Sequence, residues 1–208
     1  MDRRTLLAAG LSLAALSAFA DPALAQVQAL PLKDRQLVAQ AAAYLQAMKM
    51  AKGRFTQTSS RGASSSGTLY LNRPGKARFE YDPPAEMLIV SDGRNVSVYD
   101  RRLKTFDKAP IGATPLGIFL ARRISLEEDV KVTRLTRSAG GFAITVMDAR
   151  GQADGRLILE FNAEPISLAG WTVVDGQGVQ TRVRVSGLTP TTGLDPALFV
   201  LNDPRPKG

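Results

Sequence analysis

The sequence contains no cysteine and no histidine. Without cysteine, no disulfide can support the fold, so packing must stabilise it alone. The absence of both residues excludes Ser-His-Asp triads, Cys-His pairs and zinc sites built from these ligands. The serine motifs S-x-x-K and G-x-S-x-G are also absent. We therefore expect no metal, no cofactor and no catalytic residue in this protein.

An acid/base pair of carboxylates is the enzyme chemistry that remains open. Glu80, Asp82 and Glu86 lie close together in the sequence and are the candidates for a glycosidase-type site. Acidic residues in such positions more often lie at strand ends or on a solvated face. The sequence therefore favours a protein that is not an enzyme.

Only the N-terminus carries a long apolar run. Arg3 and Arg4 precede an almost uninterrupted apolar stretch over residues 6–20, and Ala23-Leu24-Ala25 matches a small-x-small cleavage site. This order predicts a cleaved signal peptide over residues 1–25, because a membrane span needs roughly 20 apolar residues. The remaining residues 26–208 are predicted to form one exported domain. The arginine pair leaves both general and twin-arginine export open.

The protein is basic, with 27 Lys and Arg residues against 19 Asp and Glu and a net charge of +8. In an envelope that contains anionic lipid headgroups, this charge attracts the protein to membrane surfaces and to acidic partners. Because the chain is predicted to be exported, we expect no nucleic-acid partner.

The apolar period changes once along the mature chain. Apolar residues recur at helical spacing from Asp34 to Met50, which predicts one amphipathic helix. Its apolar face is expected to contain Leu37, Ala41, Tyr44, Leu45 and Met48. Short β-type runs separated by turn residues follow. These predicted strands are Arg54 to Thr58, Gly67 to Asn72, Ala77 to Tyr81, Met87 to Ser91, Asn95 to Asp100, Lys104 to Lys108, Val130 to Arg137, Phe142 to Asp148, Arg156 to Asn162, Ser167 to Val174, Val179 to Ser186 and Phe199 to Leu201. Such a meander must close or half-close to protect its edges.

A helical insertion interrupts the strands. Thr114 and Pro115 are typical of an N-cap followed by the first helical residue, and Leu116, Phe119 and Leu120 then form an apolar stripe. Ser125 and Glu128 have capping-box spacing and predict a further short turn. A short helix of this kind can cover the open mouth of a curved sheet as a lid.

An ordered series of motifs is similar to that of the LolA family of periplasmic outer-membrane lipoprotein carriers, over essentially the whole mature chain. The motifs are Phe55-Thr56-Gln57, then Gly67-x-Leu69-x-Leu71-x-Arg73-Pro74-Gly75-Lys76-x-Arg78-Phe79-x-Tyr81-x-x-Pro84, Val90-Ser91-Asp92-Gly93 with Tyr99-Asp100, Thr114-Pro115-Leu116 with Leu120-Ala121-Arg122, and Phe199 with Pro204. The resemblance implies a mainly β fold, an incomplete antiparallel β-barrel of about 11–12 strands. A long N-terminal helix and short helices would form a lid over an apolar cavity.

The resemblance also implies a function in the periplasm. A monomeric carrier would take the acyl chains of lipidated proteins from an ABC-type lipoprotein release complex in the inner membrane. It would deliver them to an outer-membrane acceptor or to the outer membrane itself. The site residues that we expect from the matching positions and from the lid stripe are Arg73, Leu69, Leu71, Phe79, Tyr81, Leu116, Phe119 and Leu120.

These residues have different expected roles. The family's arginine at the position of Arg73 ties the sheet to the lid, and the five donors of a guanidinium suit backbone carbonyls. The apolar strand residues either line the cavity or fill the core, and residues alone favour the core. The only tryptophan, Trp171, is expected to be structural. Many members of the family have a tryptophan at the position of Ser97, and Phe79 also stands in place of a tryptophan. The shape of the cavity and the identity of the cargo therefore remain undetermined by the sequence.

Two alternatives from other classes stay open at this stage. One is a periplasmic sensor or a carrier of another amphiphile, such as a glycolipid or a misfolded envelope protein, with the same fold. The other is the carboxylate-dependent hydrolase. A sensor is expected to need a second domain or contact module.

Overall fold

Eleven antiparallel strands form one continuous sheet in the computed structural model, which describes residues 30–122 and 130–204. The strands are β1 Met50–Ser59, β2 Ser64–Asn72, β3 Lys76–Tyr81, β4 Met87–Asp92, β5 Asn95–Asp100, β6 Thr105–Pro110, β7 Val130–Ser138, β8 Gly141–Asp148, β9 Arg156–Ala163, β10 Ile166–Val174 and β11 Gln180–Pro190. Their order across the sheet is β6-β5-β4-β3-β2-β1-β11-β10-β9-β8-β7. Strands β6 and β7 are the two edges, so the barrel is incomplete, which confirms the fold expected from the sequence.

One predicted strand is wrong. Phe199 ends a 3₁₀ helix, Pro196–Phe199, and is not part of the sheet. The local sequence explains the difference, because the Asp195 carboxylate accepts a hydrogen bond from the Ala197 N–H at 2.8 Å and a proline follows the cap. Phe199 is 1% exposed and packs beside β3 and β4, so its apolar character reflects burial and not strand pairing.

The long helix α1 spans Leu32–Ala47, whereas the sequence predicted it over Asp34 to Met50. It ends earlier because Met50 already begins β1. Val38, Ala41 and Leu45 are its buried residues. Ala41 and Leu45 were expected on this face, and Val38 was not.

The sheet has a dry concave face and a wetter convex face. On β11, Val183 is buried while Arg182 and Arg184 are exposed. On β10 a bulge between Leu168 and Gly170 shifts the register by one residue. Because of this bulge, Trp171 faces the same side as Leu168 and both are buried in the core.

The short helix α2 spans Pro115–Leu120, with Thr114 as the N-cap residue, so the predicted start is confirmed. The Thr114 hydroxyl donates backwards to the Ile111 carbonyl at 2.9 Å, where a 3₁₀ turn, Ile111–Ala113, precedes the helix. Helix α2 packs against β8 and β9 on the inner side of the sheet. The predicted signal peptide over residues 1–25 and the predicted turn at Ser125 lie outside the described residues.

Within residues 30–122 and 130–204, no helix combines the length and the apolar character that crossing a membrane requires.

The β10–β11 pairing beside Trp171 requires a glycine. A Cβ at Gly170 would lie 2.2 Å from the Val183 carbonyl oxygen. We expect Gly170→Ala to destabilise the protein by about 1–3 kcal/mol, since overpacking forces the strands apart. Thermal unfolding then falls by roughly 2–4 °C per kcal/mol for a chain of this size.

Gly140→Ala is the matched control, because a Cβ there has no atom within 4 Å. Equal melting temperatures for the two variants would contradict the close packing of β10 on β11.

Candidate functional site: a helix-covered apolar interior

Arg73 joins the sheet to both helices. It follows β2 directly, and its side chain turns under the helices and is 7% exposed. Its Nη1 donates to the carbonyl of Leu45 on α1, and its Nη2 donates to the carbonyl of Ala121, at the end of α2, at 2.8 Å. The guanidinium also lies 5.9 Å from the centre of the Phe119 ring, within the range of a cation–π contact.

Backbone and hydroxyl groups strengthen this junction. We call Arg73–Gly75, the turn between β2 and β3, the clasp turn. The Gly75 N–H donates to the carbonyl of Leu120 at 3.0 Å, and the Ser91 hydroxyl donates to the Gly75 carbonyl at 2.6 Å. Gly75 has φ +83°, a conformation that suits glycine. The clasp turn therefore holds the C-terminal end of α2 against the sheet.

The guanidinium is buried at an energetic cost. Its two acceptors are neutral carbonyls, and its Nε has no hydrogen-bond partner within the described residues. Burial lowers the pKa of Arg73 to about 10. A charged group that shifts in this direction is less stable in its site than in water. The hydrogen bonds of Arg73 therefore stabilise the junction, while the desolvation of its charge destabilises it.

An aromatic cluster fills the space beneath α2. Phe119 is stacked on Trp171, with ring centroids 4.8 Å apart and planes inclined by 22°. Phe79 meets the same indole edge-on at 6.0 Å, and Phe55 meets Phe79 at 5.5 Å and Tyr81 at 4.9 Å. Each ring pair contributes roughly 0.5–1.5 kcal/mol beyond the burial of its area.

The structure brings the sequence-predicted site residues together at the helix–sheet junction. Six of them are buried in one core cluster: Leu69, Leu71, Phe79, Tyr81, Phe119 and Leu120. Leu116 is half-buried against the cluster, and Arg73 reaches it through Phe119. These side chains pack on one another, and the Phe119 ring covers one face of the Trp171 indole.

Trp171 and Phe55 were missed as members of this group. Phe55 lies in the first motif that pointed to the family, so position in that motif could have indicated it. Trp171 had only its uniqueness as a signal, since the bulge on β10 decides which way it faces.

Apolar concave surface continues beyond the helices. Ile89 is paired with Phe79 across β3 and β4 and faces the same side, and Met87 and Val98 follow on that face. All three side chains are half-buried. The interior therefore has an apolar margin along β4 and β5 that is less covered than its centre.

Two of the three acidic residues considered for hydrolysis, Asp82 and Glu80, are engaged in ion pairs. Asp82 accepts hydrogen bonds from Arg54 and from the Ser66 hydroxyl, and the Arg54 hydrogen bond holds the pKa of Asp82 below its ordinary value. Glu80 pairs with Arg78 at 3.2 Å. A general acid needs a raised pKa. These pairs do not favour the carboxylate-dependent hydrolase.

Comparison with known proteins identifies the family. The model of the outer membrane lipoprotein carrier protein LolA matches residues 46–202. The chain belongs to the LolA family. This confirms the resemblance seen in the motifs, and it places the chain in a family of carrier proteins.

Curated relatives agree with the family match. An outer-membrane lipoprotein carrier protein of Methylococcus capsulatus is 32% identical over 145 residues, which cover 67% of this chain and 68% of the relative. One of Methylibium petroleiphilum is 32% identical over 170 residues, covering 71% and 82%.

A solved structure supports the fold alone. A DUF1329 family protein from Desulfovibrio piger superposes with a TM-score of 0.54 at 12% identity. The alignment covers 82% of this chain and 97% of that protein.

The Tyr81 phenol gives the interior a dependence on alkaline pH. Its hydroxyl donates to Gln57 Oε1 at 2.6 Å, and burial raises its pKa above the ordinary value. In the unfolded chain the phenol ionises from a pH of about 10, while the folded state retains the proton. The contribution of Tyr81 to stability is therefore present below that pH and is lost as the pH rises further.

We expect Tyr81→Phe to lose less stability than the wild type between neutral pH and the range above a pH of about 10. Arg73 changes the stability in the opposite direction in this range, because its lowered pKa lets the folded state lose the buried charge first. Arg73 is present in both proteins, so its effect cancels in the comparison. Chemical unfolding at both pH values measures the difference. An identical loss in both proteins would contradict the burial of the phenol.

Proposed function

We propose that this protein is a periplasmic carrier of lipoproteins. It binds the acyl chains of lipoproteins released from the inner membrane and delivers them to the outer membrane. Residues 1–25 act as its cleaved signal peptide, and residues 26–208 form the single carrier domain. The observation that carries the proposal is the clasp turn of a LolA-family chain, which joins both helices over an apolar interior.

The physical need for such a carrier is large. Exposing roughly 45 methylenes of a triacyl anchor to water costs about 30 kcal/mol or more, at about 0.8 kcal/mol per CH₂. Unassisted crossing of the aqueous periplasm is therefore negligible. Binding near the non-covalent ceiling of about 20 kcal/mol would in turn trap the cargo. A carrier must cover the chains and also release them.

The packed interior supplies this balance. Phe119 lies over Trp171, in the position that an acyl chain takes when α2 moves away. Loading breaks the ring stack and the two Arg73 hydrogen bonds, and rehydration of the guanidinium offsets part of that cost. The closed, empty state therefore competes with the loaded one. The half-buried margin at Met87 and Ile89 is the first apolar surface available to an entering chain.

The partners follow from this role. An ABC-type lipoprotein release complex of the inner membrane supplies the lipidated protein. An outer-membrane acceptor, or the outer membrane itself, receives it. The carrier acts as a monomer and needs no cofactor.

Arg73→Leu tests the junction between sheet and lid. The substitution removes two hydrogen bonds to carbonyls and also removes a buried charge, so it changes the balance between closed and open lid. We expect loading or release of a fluorescent triacylated peptide to change at least about fivefold, which corresponds to about 1 kcal/mol, the net contribution of one typical hydrogen bond. The melting temperature should stay close to that of the wild type.

Arg78→Leu is the matched control. Arg78 also donates to a backbone carbonyl, that of Leu198 at 3.2 Å, but it lies on the convex face away from the helices. If Arg73→Leu loads and releases the peptide as Arg78→Leu does, Arg73 has no role in the lid.

Phe119→Asp tests whether the acyl chains meet the α2 stripe. A carboxylate at this position faces an apolar interior, and its desolvation costs several kcal/mol. We expect the folded variant to lose peptide uptake. A core role predicts that the empty variant unfolds instead, so the melting of the empty protein is measured alongside.

Phe119→Leu keeps the position apolar and preserves the test if the charged variant does not fold. Trp171 is the only tryptophan, so its fluorescence reports on the ring that Phe119 covers. Uptake must change this emission in the wild type, and in Phe119→Leu the change must be smaller because the stack is absent. Normal uptake by folded Phe119→Asp, or uptake without any emission change, would disprove the assignment.

A further inference from the structure

The hairpin of β5 and β6 ends in a basic tip that exposes a leucine. We call Arg101–Lys104 the basic tip. Leu103 is 60% exposed, and Arg101, Arg102 and Lys104 are exposed around it. The side chains of these three cations form no hydrogen bond or ion pair with the part of the chain that the structure describes.

This combination occurs at one place among the described residues. Across the described residues, the exposed large apolar side chains are Leu32, Leu103, Met147, Val179 and Val200. Leu103 has three cations within two positions along the chain, whereas Leu32 has one and the other three have none. An exposed apolar side chain alone requires no explanation. An exposed leucine within a run of unpaired cations is a different feature.

Hydrogen bonds from two backbone N–H groups hold the tip in its conformation. The Asp100 carboxylate accepts a hydrogen bond from the Leu103 N–H at 2.8 Å, and the Arg101 N–H contacts the Glu86 carbonyl at 3.4 Å. Lys104 has φ +53°, a left-handed conformation in which glycine is preferred. The turn thus keeps a lysine at a position that favours glycine and presents Leu103 to solvent.

Charges on neighbouring turns leave the tip positive. The β1–β2 and β3–β4 turns lie at the same end of the sheet and contribute Arg61 and Glu86. Asp100 is occupied by the tip backbone, and Asp82 is paired with Arg54. The clasp turn, between β2 and β3, lies at the opposite end. Contact at the basic tip therefore leaves the lid free to move.

We propose that the basic tip binds an anionic phospholipid bilayer. Leu103 enters the boundary between headgroups and acyl chains, and the three cations contact lipid phosphates. The charge excess selects an anionic surface, and the leucine selects a surface that has an apolar layer immediately below it. An acidic protein surface would satisfy the cations and leave the leucine exposed. The inference does not depend on the proposed cargo, because the contact is made by the empty protein.

Vesicle binding of the purified exported protein tests this inference. The probes are vesicles of phosphatidylglycerol and phosphatidylcholine in equal parts and vesicles of phosphatidylcholine alone, used in co-sedimentation. We expect binding to the anionic vesicles only, weakening with salt because the Debye length is about 8 Å at physiological ionic strength. Replacing Arg101, Arg102 and Lys104 by glutamine should weaken binding more than tenfold, since each cation contributes about 1 kcal/mol at such a surface.

Matched controls separate the tip from the overall charge of +8. Replacing Arg134, Arg156 and Arg184 together by glutamine removes three exposed cations on β7, β9 and β11, as many as the tip variant loses. Val179→Asn is the control for Leu103→Asn. We expect both controls to bind vesicles nearly as the wild type does and Leu103→Asn to bind severalfold more weakly. Lys104→Gly keeps the turn geometry and should lose affinity without loss of melting temperature.

Three results would overturn the proposal. The first is a wild type that does not bind anionic vesicles, and the second is tip variants that bind as the controls do. The third is a loss caused by the charge variants but not by Leu103→Asn, which would show that charge alone holds the tip at the vesicle surface and that Leu103 does not enter the bilayer. Peptide uptake by the tip variants is measured separately. Unchanged uptake with lost vesicle binding in the tip variants leaves the carrier function intact. A wild type that binds anionic vesicles but takes up no peptide contradicts only the carrier function.

Discussion

The arrangement of helices on the sheet depends on one cation buried among neutral acceptors. Arg73 is nearly inaccessible to water and donates to carbonyls at the ends of two helices, and its Nε–H has no partner among the residues that the structure describes. A carboxylate in the same place would have neutralised the charge and fixed the contact more firmly. Carbonyls orient the guanidinium without compensating it fully, and the lowered pKa is the sign of that deficit. The contact is specific in geometry and modest in net free energy, as the proposed opening and closing of the lid requires.

The same balance appears in the interior. The rings of Phe119, Trp171 and Phe79 fill the space beneath α2, so the empty protein keeps its apolar surfaces away from water. An interior that stayed open would expose those surfaces and promote aggregation. In the proposed loading, an acyl chain does not enter a vacant site but exchanges with aromatic side chains of similar polarity. The free energy of loading is therefore a difference between two apolar contacts, and it is smaller than the transfer of the same chain out of water.

Local sequence patterns predicted the elements well, and side-chain direction less well. Eleven strands, the amphipathic helix and the start of α2 follow from period, turn residues and the Thr114-Pro115 pair, which are local signals. The strand predicted at Phe199 was wrong because a short apolar run buried by a capped turn has the same sequence pattern as the end of a strand. Trp171 was not expected in the site because a bulge, which alternation does not reveal, reverses the face on which it lies. The position of Arg73 came from the family resemblance, whereas its acceptors lie on helices distant in the sequence and required the fold.

The order of strands has a consequence for how the protein forms. Strands β1 to β6 and β7 to β11 each pair with their neighbours in sequence, and the two groups meet only where β1 pairs with β11, for example Phe55 with Val185. Each group can therefore assemble from local contacts, while the seam must wait for the last strand. Until then Phe55 and its neighbours on β1 lie on an unpaired edge. The same chain that is proposed to shelter the acyl groups of others thus passes through a stage in which its own apolar edge is unprotected.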